Sequence, residues 1–346
     1  MHYIGKKISD VQSLLVDYAK SGRSESYVGR TSEPYLFAID QKSIEQVAYA
    51  CGAAHDWRLP SGASRGPIEA PHAYLFYLLN NTRTYRVYEQ TIITGLPSGR
   101  AQLHAGDDFY YHRPILSGDV LAVTATILPS YRKTGRHGEL EFFSDEWRMY
   151  NQRNELAAQL IRKAIALDFG ESGMLTSPVE TRVVLPPDPA ESTWLRATDI
   201  ESAFKIGQTT HVKRHPTFTW MSMMGWLAAV DEYSPTRYDP EFAKSHRYGG
   251  GRNIVAGPQL ASVMVAALEE SLGPDWWISD YENVQRRAVY PNETLISFSK
   301  VLWIRDGVVR IQLWLVDEEG VVKGTGEASV KAVTDERKVP AWTPGN

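Results

Sequence analysis

Two acidic loops contain the side chains best suited to move protons. One loop carries His55 and Asp56, and the other carries Asp231 and Glu232. An adjacent imidazole and carboxylate can relay a proton, although such a pair more often fixes a loop through hydrogen bonds to its own backbone. Asp231 and Glu232 end a helical stretch, so a solvated acidic cap is the simpler interpretation of that pair. A carboxyl group there becomes a useful acid or base at neutral pH if burial raises its pKa.

Cationic and glycine-rich segments follow the second loop. Arg237 can bind a phosphate or carboxylate group of a substrate, or it can form an ion pair with one of the neighbouring carboxylates, which are Asp231, Asp239 and Glu241. Residues 249–251 are three consecutive glycines, and Arg252 comes directly after them. Such a run either cradles a phosphate or pantetheine group or serves as a flexible connection. The sequence leaves both alternatives open.

The use of histidine and cysteine argues against a metal centre. His211 and His215 flank a short basic run, and their spacing would serve a metal on one face of a helix. No nearby cysteine or carboxylate completes a ligand set, so we expect a structural role for both histidines and no bound metal. Cys51 is the single cysteine, which excludes an intrachain disulfide. It ends an apolar run and is expected to be a small buried residue.

The composition fits a globular chain of two domains that binds a small molecule. The length of 346 residues suits two domains of about 150 residues each. The net charge is −4 with scattered Lys and Arg, which predicts binding to neither nucleic acid nor an anionic membrane. The first residues lack the apolar core of a signal peptide, and no apolar stretch approaches the ~20 residues that span a bilayer. We therefore expect a cytoplasmic location.

A weak internal repeat predicts the organisation of the chain. Residues 113–121 and 287–295 share one order of features, namely a basic residue, an apolar residue, a turn, an acidic residue and the start of a strand. Upstream of each lies an apolar helix, predicted over 73–79 in the first half and 258–272 in the second, where Gly273 is a natural stop. The first helix is apolar nearly all round, so a sheet should wrap around it.

Strand-like runs follow each helix and are joined by polar turns, so antiparallel pairing is expected. The predicted strands are 120–127, 140–143 and 156–161 in the first half, and 294–304, 308–316 and 321–333 in the second. Earlier helical stretches are predicted over 43–54 and 220–230. A segment rich in Gly, Pro and Ser separates the halves, which gives domains at 1–169 and 196–346 with a linker at 170–195. Each open sheet leaves an edge, so we expect the two sheets to pair edge to edge with both central helices on one side.

Several runs resemble the MaoC-like acyl-thioester hydratases and dehydratases of the double hot-dog type. In the first half these are Leu103 to Pro114 and the steps Ser117-Gly118-Asp119, Arg132 to Gly135 and Asn151 to Ala157; in the second half they are Asp231 to Ala243 and Gly257-Pro258. The resemblance covers about residues 40–333. It implies an α+β fold, a tandem (double) hot-dog of two antiparallel sheets, each wrapped around a central helix.

The resemblance also implies an activity. Members of this family hydrate trans-2-enoyl thioesters, usually of coenzyme A, or catalyse the reverse dehydration, with no metal or redox cofactor. Their catalytic loop reads Gly-Asp-x-Asn-Pro-x-His, and the Asp and His hold one water while the N-terminus of the central helix binds the thioester carbonyl. Such a chain is expected to form a homodimer or a hetero-oligomer with another hot-dog chain.

The family motif falls on residues 231–237, and this chain departs from it. Glu232 takes the Asp position, and Arg237 takes the His position. Arginine cannot be deprotonated in a protein, so Arg237 cannot be a general base, whereas Glu232 could act alone as acid and base. The resemblance thus implies catalytic roles for Glu232, Asp231 and Arg237. The implied substrate-binding residues are Gly257, Ala256, Gly251, Arg252 and Tyr233, with His55 and Asp56 as a secondary site.

The missing motif histidine leaves three functions to compare. The leading interpretation is a hydratase or dehydratase, a lyase, with an unusual acyl substrate. The second is a non-catalytic subunit that binds acyl thioesters and receives its histidine from another chain or does not need it. The third is a different enzyme on the same scaffold, such as a thioesterase, because one fold hosts many chemistries.

Overall fold

A single antiparallel sheet dominates the computed structural model, which describes residues 28–29, 31–54, 67–84, 100–135, 138–168, 180–187, 200–232, 234–245 and 251–333. Within these residues the sheet has 11 strands, which are β1 (Tyr35–Ala38), β2 (Arg100–Tyr111), β3 (Val120–Ile127), β4 (Tyr131–Gly135), β5 (Gly138–Tyr150), β6 (Leu156–Asp168), β7 (Thr209–Arg214), β8 (Trp276–Gln285), β9 (Leu295–Arg305), β10 (Val308–Asp317) and β11 (Val322–Ala332). Their order in the sheet is β1-β3-β5-β6-β2-β8-β11-β10-β9-β7, with β4 paired to β5.

The two halves of the chain meet where β2 pairs with β8. The pairing is antiparallel and runs from Gly106 opposite Val284 to Tyr110 opposite Asp280. We call this line the seam. The expected edge-to-edge pairing is confirmed, and it merges the two expected sheets into one.

The repeat is also visible in the hydrogen bonds that precede β3 and β9. The Asp119 carboxylate accepts the Leu116 N–H at 2.8 Å. In the second half, the Glu293 carboxylate accepts the Tyr290 N–H at 3.1 Å. An acidic side chain therefore closes the same turn in each half, which explains why the repeat keeps an acid at this position.

Helices from both halves form one layer against the sheet. They are α1 (Gln41–Cys51), α2 (Tyr74–Thr84), α3 (Ile200–Ala203), α4 (Trp220–Ala229), α5 (Pro240–Ser245) and α6 (Gly257–Leu272). Helix α1 contacts α2, α4 and α6, and α6 contacts β2 of the first half as well as β8. One hydrophobic core contains apolar residues of both halves. The predicted burial of the first central helix is confirmed, because the side chains of Tyr74, Leu75, Phe76, Leu78 and Leu79 are buried.

Local sequence signals explain where the helices begin and end. The Asp40 carboxylate accepts the Ser43 N–H at the start of α1, and Gly52 ends that helix with a left-handed backbone, φ 77°. Helix α6 begins at Gly257 with Pro258 in its first turn and ends at Gly273. Cys51 is a free, buried thiol, as predicted.

Several expectations differ from the structure. Strands β1, β2, β4, β7 and β8 have no counterpart in the sequence prediction, and β5 and β6 are longer than predicted. His211 lies on β7 rather than on a helix, and its Nδ1 is 2.8 Å from Ser299 Oγ. Within the predicted linker, Arg182 forms a bridge with Val321. The domain boundaries themselves remain a prediction.

Candidate functional site

The predicted catalytic loop brings Glu232 and Arg237 together. Asp231, just after α4, has a left-handed backbone, φ 57°, and the Glu232 N–H donates to the Leu227 carbonyl at 2.9 Å. A short 3-10 turn over Pro235–Arg237 follows. Arg237 Nε lies 3.6 Å from Glu232 Oε1, and the two side chains are 11% and 19% exposed. Arg237 is thus paired with Glu232, a partner that the sequence alternatives did not include.

A buried asparagine ties this loop to the segment that enters α6. The Asn253 side-chain amide donates to the carbonyls of Thr236 and Asp239 at 3.0 and 3.1 Å. Asn253 is 4% exposed and lies shortly before Ala256 and Gly257. The loop and the start of α6 are therefore held in one local structure. A shared cleft between Glu232 and the first amides of α6 stays a prediction.

The remaining predicted site residues are spread more widely. Gly251 adopts a left-handed backbone, φ 80°. The exposed Arg252 guanidinium lies 3.4 Å from the centre of the Tyr290 ring, a cation–π contact. Tyr233, His55 and Asp56 lie outside the described residues.

A second polar group, which the sequence analysis did not single out, lies at the seam. His104 and Asp107 are on β2, and His104 Nε2 is 2.7 Å from Asp107 Oδ2. Asn283, directly opposite Asp107 on β8, donates to Asp107 Oδ2 at 3.4 Å. Gln285 on the same strand donates to Asn283 Oδ1 at 3.3 Å. We call these four side chains, with Gly257, the polar end of the seam.

A β-bulge brings His104 and Asp107 to the same face of β2. The register of β2 against β6 shifts between His104 and Gly106, so Ala105 is the extra residue. Gly106 has φ 156°, and a Cβ built there would lie 2.1 Å from the Asn283 carbonyl oxygen. Only glycine fits this position. A glycine inside a strand pattern indicates a bulge or a close backbone approach, and it was the one signal that could have pointed to this pair.

The start of α6 packs directly on the His104 imidazole. A Cβ built on Gly257 would lie 2.5 Å from His104 Nδ1 and 3.2 Å from Gln285 Cγ. Gln285 Nε2 donates to the Gly257 carbonyl at 3.2 Å, which fixes the strand against the helix. The first amides of a helix have no intrahelical acceptor, and the helix dipole makes this end positive. The imidazole therefore faces the end of α6 that favours negative charge.

Three acceptor atoms at the polar end have no hydrogen-bond partner among the described residues. They are His104 Nδ1, Asp107 Oδ1 and Gln285 Oε1, and all three are buried. Because Nε2 faces a carboxylate, it carries the proton in neutral His104, and Nδ1 is then a free lone pair. An unmet buried acceptor costs about 1–3 kcal/mol. The group is therefore better suited to hold a hydrogen-bond donor than to stabilise the fold.

In a second histidine–carboxylate pair in the seam region, both ring nitrogens of the histidine have partners. His72 Nδ1 binds Glu269 on α6, and His72 Nε2 lies 3.1 Å from the Ile278 carbonyl on β8. The Tyr111 hydroxyl donates to the His72 carbonyl at 3.0 Å. The aromatic rings in this region are those of Phe109, Tyr111, Trp277 and Tyr281. We call these four rings, together with His72 and Glu269, the aromatic end of the seam. Burial raises the pKa of Tyr111 and Tyr281 well above its ordinary value, so both hydroxyls stay protonated.

Within the described residues, no group of three or more His, Cys, Asp or Glu side chains is arranged to hold a metal ion. No helix within the same residues is long and apolar enough to cross a membrane.

The chain is similar to a family of dehydratase domains and to several individual proteins. A family described as FAS1-like, dehydratase domain region, matches residues 26–160. A UPF0336 protein of Streptomyces griseus is 31% identical over 111 residues, which are 30% of this chain and 70% of that protein. A solved MaoC-like dehydratase superposes with a TM-score of 0.68 at 14% identity, covering 89% of this chain and 99% of the other. A Mycobacterium tuberculosis protein with a double hot-dog fold superposes with a TM-score of 0.56 at 13% identity, covering 88% and 96%.

Proposed function

Because this chain belongs to the MaoC-like dehydratases, we propose that it is a hydro-lyase that adds water to an enoyl thioester or removes water from a 3-hydroxyacyl thioester. The observation that carries the proposal is the Glu232–Arg237 pair on a loop that Asn253 ties to the entry of α6. A carboxylate and a helix N-terminus are the two elements that this reaction needs. Coenzyme A is the proposed carrier of the acyl group.

The start of α6 supplies the site for the thioester carbonyl. During hydration, negative charge develops on the carbonyl oxygen as water adds at the β-carbon. The first-turn amides near Ala256 and Gly257 and the dipole of a 16-residue helix stabilise that charge. Gly251, Arg252 and Tyr233 are proposed to contact the rest of the substrate, and Arg252 provides a cation for a phosphate of the carrier.

Glu232 is proposed to hold the reacting water. A carboxylate can take a proton from water and return it to the α-carbon, so one group is able to carry both proton steps. Arg237 Nε lies 3.6 Å from Glu232 Oε1 and pairs with this carboxylate. Asp231 shapes the turn through its left-handed backbone. The chemistry is acid–base chemistry throughout, so the proposal includes no metal or redox cofactor.

The non-catalytic alternative is less well supported, because the matching family and the similar structures are named for a dehydratase activity. A cytoplasmic location and assembly as a homodimer, or with another hot-dog chain, remain part of the proposal.

The test follows the loss of enoyl-thioester absorbance with trans-2-enoyl-coenzyme A substrates of increasing chain length. Glu232→Gln is expected to lower kcat by about 10²-fold or more, and Arg237→Ala by a smaller factor. The matched control is Glu241→Gln, an exposed carboxylate on α5 that should keep the wild-type rate. Full activity in Glu232→Gln would remove Glu232 from the mechanism. Wild-type protein that binds thioesters, measured by thermal shift, without turnover would support the binding-subunit function instead.

A further inference from the structure

The polar end of the seam has the properties of a catalytic dyad. His104 is 90% buried, with 10% of its side chain exposed, and Asp107 is fully buried. A buried carboxylate that accepts from one imidazole nitrogen orients the ring and stabilises the imidazolium that forms when the other nitrogen takes a proton. In this chain, the other nitrogen is Nδ1, and it faces the start of α6.

The unmet hydrogen bonds indicate what this group binds. His104 Nδ1, Asp107 Oδ1 and Gln285 Oε1 are all acceptors without a partner among the described residues. A cluster of acceptors requires a ligand that donates, such as water or a hydroxyl group. In the proposed reaction those donors are the water that adds and the 3-hydroxyl group that leaves.

We propose that His104, positioned by Asp107, carries the proton in the dehydratase reaction and so replaces the histidine that the catalytic loop lacks. This inference rests on the proposed function. In hydration, His104 Nδ1 takes a proton from water while the water oxygen forms a bond to the β-carbon. The electron pair of the carbon–carbon double bond moves toward the thioester carbonyl, whose oxygen is stabilised at the start of α6.

The second step returns the enzyme to its starting state. The imidazolium of His104 gives its proton to the α-carbon, and the enolate electrons form that carbon–hydrogen bond. One water is consumed: its hydroxyl group is on the β-carbon of the product, its proton is on the α-carbon, and His104 is neutral again. In this refinement His104 takes over both proton transfers, and Glu232 keeps the role of holding the water by accepting a hydrogen bond from its second hydrogen. Asp107 does not touch the substrate, so it is a positioning residue.

The deciding experiment compares His104→Asn with His112→Asn on an enoyl thioester that the wild-type protein hydrates. His112 is an exposed residue just after β2, so it is a matched control. We expect His104→Asn to lower kcat by about 10²–10⁴-fold with KM changed by less than about threefold, while His112→Asn stays at the wild-type rate. The rise of kcat with pH in the wild type should disappear in His104→Asn.

Asp107→Asn tests the positioning role. Without the carboxylate that orients the imidazole, kcat should fall while KM stays within about threefold of the wild-type value. A wild-type kcat in Asp107→Asn would overturn the role of Asp107.

The outcomes separate the inference from the proposed function. If His104→Asn keeps more than about a third of the wild-type kcat, the dyad is not catalytic, although the hydratase function stands. If the wild type turns over no thioester, both fail. If His104→Asn does not fold, the wild-type protein with ¹⁵N-labelled histidine decides the question. A saturated acyl-coenzyme A should shift the His104 Nδ1 resonance and leave His112 in place, and an unmoved His104 signal would overturn the inference.

Discussion

The two ends of the seam occupy equivalent places in the repeat, yet they differ in chemistry. The alignment of Arg113 with Arg287 makes Asp107 equivalent to Tyr281 and Phe109 equivalent to Asn283. The polar pair Asp107–Asn283 and the aromatic pair Phe109–Tyr281 are both direct cross-strand neighbours. The same strand pair, β2 with β8, therefore has a polar contact at one end of the seam. At the other end it has two stacked rings whose centroids are 5.7 Å apart.

The histidines at the two ends of the seam differ in how many of their ring nitrogens have hydrogen-bond partners. His72 has both ring nitrogens bonded, to Glu269 and to the Ile278 carbonyl. His104 has one nitrogen bonded to Asp107 and one without a partner among the described residues. A satisfied histidine stabilises the fold, whereas one with a free lone pair beside a helix N-terminus is available for chemistry. Burial alone does not distinguish the two roles, because both side chains are buried.

The largest expected effect is on stability at the aromatic end. His72→Asn removes the imidazole from the buried Glu269 carboxylate, and breaking a buried pair costs about 3–5 kcal/mol. We expect the free energy of unfolding in urea to fall by about that amount, while turnover per folded molecule stays within twofold of wild type. Loss of turnover in the folded variant would mean that both ends of the seam serve the reaction.

The next effect concerns turnover at the polar end. Gly257→Ala places a Cβ where His104 Nδ1 lies only 2.5 Å away, so the imidazole must move. A misplacement of about 1 Å in a catalytic group costs on the order of 10²-fold in rate, and we expect that loss in kcat. Gly225→Ala is the control, because a Cβ there meets nothing within 4 Å. A fully active Gly257→Ala would show that the contact between α6 and His104 is not needed.

A smaller effect comes from two buried histidines outside the seam, whose partners are serine hydroxyls rather than carboxylates. Burial lowers the pKa of His211 and His215 to about 3, with help from the nearby Lys213 charge. The unfolded chain takes up these protons below about pH 6.5, and the folded chain does so only near pH 3. The unfolded state thus binds more protons in this window, so stability falls as the pH is lowered through it.

The slope should reach about 1.4 kcal/mol per pH unit for each histidine. Urea unfolding at pH 7, 6 and 5 checks it, and His215→Gln should remove about half of the acid sensitivity. The same slope in wild type and His215→Gln would assign the acid sensitivity to other groups, the seam carboxylates among them.

The sequence predicted those elements whose apolar pattern is regular. The strand over Val120–Ile127 matches the prediction at both ends, and the helix predicted from Pro258 begins one residue earlier, at Gly257. The order of the loop residues 231–237 led to Glu232 and Arg237, which the structure brings together. Local periodicity was sufficient for the strand and the helix, whereas the loop residues came from the resemblance to the family motif.

The polar end of the seam escaped prediction for a physical reason, although the pairing of the two halves was expected. In a regular strand, side chains three residues apart point to opposite faces, so His104 and Asp107 do not look like partners. The bulge at Ala105 reverses that expectation, and its effect depends on the pairing of β2 with β6. Asp107 and Asn283 are also polar residues at fully buried positions, which weakens the alternating pattern that identifies a strand. The site can be recognised only once the pairing of β2 with β6 and with β8 is known.

The seam also determines the order in which the parts of the protein can fold during synthesis. His104 and Asp107 come from β2, while Gly257, Asn283 and Gln285 come from α6 and β8. During synthesis, the edge of β2 that β8 will cover stays open until the ribosome has made residues up to Gln285. An open strand edge is a template for pairing with another chain, so a nascent or truncated first half is exposed to that hazard throughout the interval. The dyad and the helix end that faces it come together only when this edge has closed, so any activity of the site reports that both halves have been joined correctly.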